Sequence, residues 1–123
     1  MQGKFREGSD CLRRALDIVT DQNLPGYFGY VHAVSCFAVA GLSDWEGFDH
    51  HLACAREYLQ KWPMVERDIA ECSVEAARLA CEARQPQRAR GAWKMAREQW
   101  VELDEPDEVA AIDTRLEALD AGN

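Results

Sequence analysis

Apolar residues recur along this chain at helical spacing, and helix breakers interrupt them at near-regular intervals. The breakers are Asn23-Leu24-Pro25-Gly26, Gly41-Leu42-Ser43, Trp62-Pro63, Gln85-Pro86 and Glu105-Pro106. Cutting there leaves six segments, each long enough for roughly three to five turns of helix. In the first, about 4–20, Phe5, Leu12, Ala15, Leu16 and Val19 form one stripe. The second, about 26–40, carries no charged residue and is expected to be enclosed on most sides. The third, about 44–61, opens on Ser43-Asp44-Trp45-Glu46, which reads as a capping box with Ser43 as the cap and Glu46 reaching back. Its stripe is Trp45, Phe48, Leu52, Ala55 and Leu59. The fourth, about 64–83, carries Val65, Ile69, Val74, Ala77 and Leu79. The fifth, about 86–102, starts on Pro86 and lines up Ala89, Trp93, Ala96 and Trp100. The sixth, about 106–119, starts on Pro106 and offers Val109, Ile112, Leu116 and Leu119. There is no alternating Val/Ile/Thr run and no Asn-Gly or Asp-Gly hairpin signal, so strands are not expected. Short links between consecutive helices predict antiparallel neighbours.

Length and composition fit this picture. A chain of 123 residues, 47% apolar and 29% charged, can bury a core without metal or disulfide staples. No apolar run is long enough for a membrane span, and MQGKFREGSD lacks the apolar core of a signal peptide. The five cysteines, Cys11, Cys36, Cys54, Cys72 and Cys81, include no CxxC pair. Reduced thiols in a cytoplasmic protein, packed as small apolar residues, are the expectation.

Charge changes the list of partners. The net charge of −8 is all C-terminal: residues 98–123 hold nine acids and a single base, Arg115, whereas residues 1–97 balance. Nucleic acid and anionic membrane are therefore not expected as partners, because both require clustered Lys and Arg. One basic cluster exists, with Arg90, Lys94 and Arg97 at i, i+4, i+7 on a helix face. It is read as a solvent-facing stripe, with an anion or acidic peptide as the sharper alternative.

Internal repetition decides between a closed bundle and a stacked array. Ala55-Arg56-Glu57 recurs as Ala96-Arg97-Glu98, 41 residues later. In that register Leu52 falls on Trp93, Phe48 on Ala89 and Leu59 on Trp100. Backward, Ala55 falls on Ala15, 40 residues earlier, with Leu12 on Leu52, Gly8 on Phe48 and Phe5 on Trp45. The run Gly3-Lys4-Phe5-Arg6-Glu7-Gly8-Ser9-Asp10-Cys11-Leu12-Arg13-Arg14-Ala15-Leu16-Asp17-Ile18 resembles the second helix of a tetratricopeptide repeat. That helix reads Gly-x-aromatic-x-x-small-x-x-x-large-x-x-Ala-Leu-x-aliphatic. Segment three keeps Trp45, Leu52 and Ala55 but has Phe48 at the small position; segment five keeps Ala89, Trp93 and Ala96 but has Pro86 at the aromatic one. Cys36 and Ala77 take the small position of the preceding helices.

The resemblance implies an all-α fold of about six antiparallel helices, stacked as helix-turn-helix repeats in a right-handed superhelix. One domain is expected over 1–123: a lone second-type helix at 4–20, repeats at 26–61 and 64–102, and a C-terminal capping helix at 106–119. The period exceeds the family's usual one. Such lengthened repeats look like those in C-terminal parts of bacterial signalling proteins, which implies a fragment of a larger signalling or regulatory protein. In the family, the inner face lined by first-type helices holds extended peptides or partner helices. The register puts Tyr30, Ala33, Phe37, Val74, Arg78 and Cys81 there, an aromatic floor with one Arg suited to an apolar peptide bearing a carboxylate.

Two constellations invite a sharper chemistry. His32/Cys36 and His50/Cys54 are i, i+4 pairs on adjacent segments, at comparable heights about the turn near residue 43, and could supply a Cys2His2 zinc site. The repeat register makes His32 and Cys36 packing positions and turns His50 and Cys54 toward solvent, so no metal is expected. Asp49-His50-His51 suggests acid–base work, but helix neighbours point about 100° apart and are not expected to converge on one reacting atom. No phosphate loop, GxSxG or HExxH is present. The expectation is a non-catalytic protein or peptide-binding module without cofactors. The alternatives are a self-associating segment forming a homodimer, and a small-molecule sensor with a cavity at Tyr27, Tyr30 and His32.

Overall fold

The computed structural model describes residues 2–121, and every regular element in them is helical. The helices are α1 (Gln2–Asp21), α2 (Phe28–Gly41), α3 (Trp45–Lys61), α4 (Arg67–Glu82), α5 (Pro86–Glu102) and α6 (Pro106–Ala121), with a 3-10 turn at Pro25–Tyr27 before α2. None is long and apolar enough to cross a membrane. The breakers read from sequence fall at the helix ends, because proline fits the first helical turn and nowhere further in. Pro86 and Pro106 are first residues of their helices.

Two compact units divide the chain, the first ending at Met64 and the second starting at Val65. In the first, α2 packs against both α1 and α3. That placement explains its chargeless sequence: nine of its 14 residues are buried, on all sides of the helix. Two glycines set how close its neighbours come. A Cβ at Gly41 would occupy the space of the Phe5 ring of α1, and one at Gly29 would lie 2.7 Å from the Leu59 side chain of α3. Phe48 fills the α2–α3 seam with no exposed surface, opposite Cys36.

In the second unit α5 packs against α4 and α6. The α4–α5 seam is lined with alanine: Ala70, Ala76, Ala77 and Ala80 face a core with Ala89 and Ala96, all fully buried. Small residues permit close backbone approach, and Trp93 and Trp100 supply the bulk. Arg90 and Arg97 of the basic stripe of α5 are answered by the acidic end of the chain, while Lys94 is exposed. Arg97 makes a two-pronged contact with Asp113 at 2.7 and 3.3 Å, Arg90 pairs with Asp120, and Arg115 lies over the Trp93 ring at 5.8 Å. Arg97 holds the Asp113 carboxyl below its ordinary range, and Asp113 raises the guanidinium in turn.

Two helix starts differ from the sequence reading. The cap of α3 is Asp44, whose carboxylate accepts from the Gly47 N–H at 3.0 Å, not Ser43. Ser43 is occupied otherwise: it is left-handed, with φ 56°, and closes α2. Helix α4 starts at Arg67 rather than near 64 because Glu66 stays extended and its N–H donates to Gln99 Oε1, 2.9 Å away on α5.

One turn geometry recurs four times. Asn23, Ser43, Arg84 and Asp104 all have positive φ, between 53° and 59°. Each donates its N–H to the carbonyl three residues back, at Thr20, Ala40, Cys81 and Val101. The residue after each donates to the carbonyl five residues back, at Val19, Val39, Ala80 and Trp100. This is the Schellman closure, which favours glycine at its left-handed position. Arg84→Gly and Asp104→Gly should each stabilise the protein by about 0.5–1 kcal/mol, read as a higher urea midpoint, whereas Arg84→Val should lower it.

Candidate functional site

The residues expected on a peptide-binding face divide between the units: Tyr30, Ala33 and Phe37 on α2, Val74, Arg78 and Cys81 on α4. Tyr30 and Val74 are half-buried, and Cys81 is exposed. Phe37 is half-buried with its ring edge-on to Phe5 at 5.4 Å. Arg78 is exposed and pairs with Glu75 at 3.2 Å. Ala33 has no exposed surface, so it contributes spacing rather than a contact point. Tyr27 is 51% exposed, whereas His32 is buried.

The concentration of chemistry lies elsewhere, on the α2–α3 seam. His32 projects from the middle of α2 and is only 5% exposed. Its Nδ1 lies 2.9 Å from Nδ1 of His51 on α3, a distance at which one nitrogen donates and the other accepts. The His32 ring also stacks on Tyr58 at 5.8 Å, nearly parallel, and Tyr58 in turn stacks on Trp62 and tilts against Phe28. Across the same seam, His50 approaches His32 edge-on at 5.8 Å, and His50 and His51 are themselves 5.3 Å apart. Cys54, one turn along α3, places its Sγ 3.8 Å from His50 Nε2. Donor atoms of His32, His50 and Cys54 all lie within 4.8 Å of one another.

This corrects two sequence expectations. Adjacent histidines on one helix do diverge by about 100°. Here, however, the seam runs between them, so His50 and His51 flank the one buried ring from the opposite helix. Nor does the solvent-facing direction of His50 and Cys54 isolate them: His50 is exposed and Cys54 half-buried, yet both reach the edge of the seam where His32 ends. Cys36 is not part of the group. Its Sγ points at the Phe48 carbonyl at 4.0 Å. Asp49, expected beside the histidines, is exposed on the outer surface.

Electrostatically His32 and His51 resist protonation. Burial, and then the neighbouring His51 and His50, lower the His32 pKa to about 4. Burial and His50 also lower that of His51, with Arg13 adding to the effect and Asp44 opposing it. Burial, then Glu57, raises the Cys54 thiol. At neutral pH the His32–His51 pair is therefore uncharged and Cys54 is a thiol. The chain itself has no match among family models, curated proteins or solved structures.

Proposed function

We propose that the chain is a non-catalytic module for docking a protein or peptide, built from lengthened tetratricopeptide-like helix pairs in a right-handed superhelix. The observation that carries this reading is the recurrence of one turn. The same left-handed residue with the same two hydrogen bonds falls at Asn23, Ser43, Arg84 and Asp104, spaced by 20, 41 and 20 residues. Contacts along the α2–α3 and α5–α6 seams support antiparallel pairing, because they run in opposite sequence directions. Gly29 meets Leu59, His32 meets His51 and Cys36 meets Phe48; Arg90 meets Asp120 and Arg97 meets Asp113. A stack of such pairs presents a face of first-helix residues that an extended peptide can follow. Tyr30 and Phe37 would supply apolar contacts there, and Arg78 would select a carboxylate. Five free cysteines suit a reducing compartment such as the cytoplasm.

Panning a random peptide display library on the immobilised full chain tests this. Enriched peptides should carry apolar residues beside an acidic one, and Arg78→Glu should weaken them about tenfold or more. Absence of enrichment, or binding indifferent to both Arg78→Glu and Phe37→Ala, would remove the docking face.

A further inference from the structure

The seam cluster has a feature that packing does not require. A buried histidine satisfied by one partner accounts for His32 and His51, but not for a third imidazole and a thiol drawn to the same place. We propose that His32, His50 and Cys54 form a binding site for a divalent transition-metal ion, zinc by the chemistry of its donors, with His51 orienting His32.

The donor set comes first. Two imidazole nitrogens and one thiolate suit zinc, which binds nitrogen at about 2.0–2.1 Å and sulfur at about 2.3 Å. On a tetrahedral ion those bonds place neighbouring donors about 3.3–3.6 Å apart. The His50–Cys54 separation of 3.8 Å is already close, and the whole triad lies within 4.8 Å. Contraction of up to about 1.5 Å falls on side-chain torsions, not on the helices.

Placement comes second. His50 and Cys54, four residues apart on α3, lie one above the other on a single helix face. His32 arrives from α2, so the ion would pin the two helices of the seam together. Its ring is held before any ion arrives, between the Tyr58 ring at 5.8 Å and the His51 nitrogen at 2.9 Å. A second nitrogen held by a hydrogen bond is the usual way a ligating imidazole is aimed. His50 is exposed, which gives the ion a path from solvent. Three protein donors leave a fourth position to water or to an outside ligand. Binding replaces the Cys54 S–H bond by a metal–sulfur bond and releases that proton to the buffer.

The test uses the full chain, stripped of metal and kept reduced with a phosphine. Cobalt(II) added as a probe should saturate at one equivalent, with tetrahedral ligand-field bands and a thiolate-to-cobalt charge-transfer band that zinc then abolishes. Cys54→Ser should remove the charge-transfer band, and Cys54→Ser and His50→Ala should each weaken zinc binding at least about tenfold in chelator competition. Both positions are at least partly open to solvent, so the variants should fold, as helicity would show. Cys81→Ser, at an exposed position on α4, should bind as the parent does. No charge-transfer band at one equivalent, or zinc affinity unchanged in both Cys54→Ser and His50→Ala, would overturn the site; so would its loss in Cys81→Ser.

Discussion

Phe48→Ala should cost about 3–5 kcal/mol, the largest single-residue loss expected in the first unit. Phe48 has no exposed surface, packs edge-on against Trp45 at 5.6 Å, and stands across the seam from Cys36. The tetratricopeptide pattern asks for a small residue here. This chain instead has a large ring on α3, facing a small cysteine on α2. The ring's volume is thus a structural requirement of this seam, and the neighbouring helices cannot close over its absence without shifting Gly29 against Leu59. Since a domain's whole stability is about 5–15 kcal/mol, the variant should lose a large share of its margin. Thermal and urea melts followed by circular dichroism measure it, at roughly 4–8 °C for each kcal/mol. Phe48→Leu, which keeps most of the volume, should lose far less. A loss below about 1 kcal/mol in Phe48→Ala would mean that the α2–α3 seam is not the core of its unit.

How much of this could be read from the residues depends on which physics fixed each part. Helix limits were legible where proline marks them, at Pro86 and Pro106, because the restriction is local and steric. The start of α4 was not, because its first turn is set by Gln99, 33 residues further on. The Schellman turns were hidden by their occupants. Ser43, Arg84 and Asp104 are not glycine, so the left-handed position carries no compositional flag, and Ser43 looks like a better cap than its neighbour Asp44. The enclosure of α2 followed from its lack of charge. The seam cluster lay half in view: the pairs His32/Cys36 and His50/Cys54 span the same range of distances from the turn at residue 43, which predicts comparable heights. What helical periodicity misses is that a seam is wider than the apolar stripe that defines it. Residues on either side of the stripe, His50 and His51, still meet a ring from the opposite helix. The answer of α6 to the basic stripe of α5 is hidden for a similar reason: neither charge run reveals it by itself, because the pairs Arg97–Asp113 and Arg90–Asp120 exist only between helices.

Acidification of the metal-free protein should destabilise it from about pH 6.5 downward. The sign follows from His32. Its pKa is lowered to about 4 in the folded chain, first by burial and then by His51 and His50. In the unfolded chain it returns to about 6.5. Above that value neither state holds the proton and the stability is complete. As pH falls through the interval, the unfolded chain gains a proton that the folded one refuses, and stability drains away. His51 is lowered in the same sense by burial, His50 and Arg13, against Asp44, and adds to the loss. With solvent screening at the open His50 edge, the sum should be about 2–3 kcal/mol between pH 7 and pH 4. Asp113, held low by Arg97, keeps its share of stability through this window and yields it only at more acidic pH. Urea midpoints taken at half-unit steps with a chelator present would trace the curve. His32→Gln removes the titrating ring, so it should lower stability at pH 7 yet flatten the slope between pH 6.5 and 4.5. A parent protein with no slope in that interval, or a variant with the parent's slope, would show that the buried ring accepts its proton in place. The seam would then be hydrated, and the α2–α3 contact looser than a 2.9 Å imidazole pair requires.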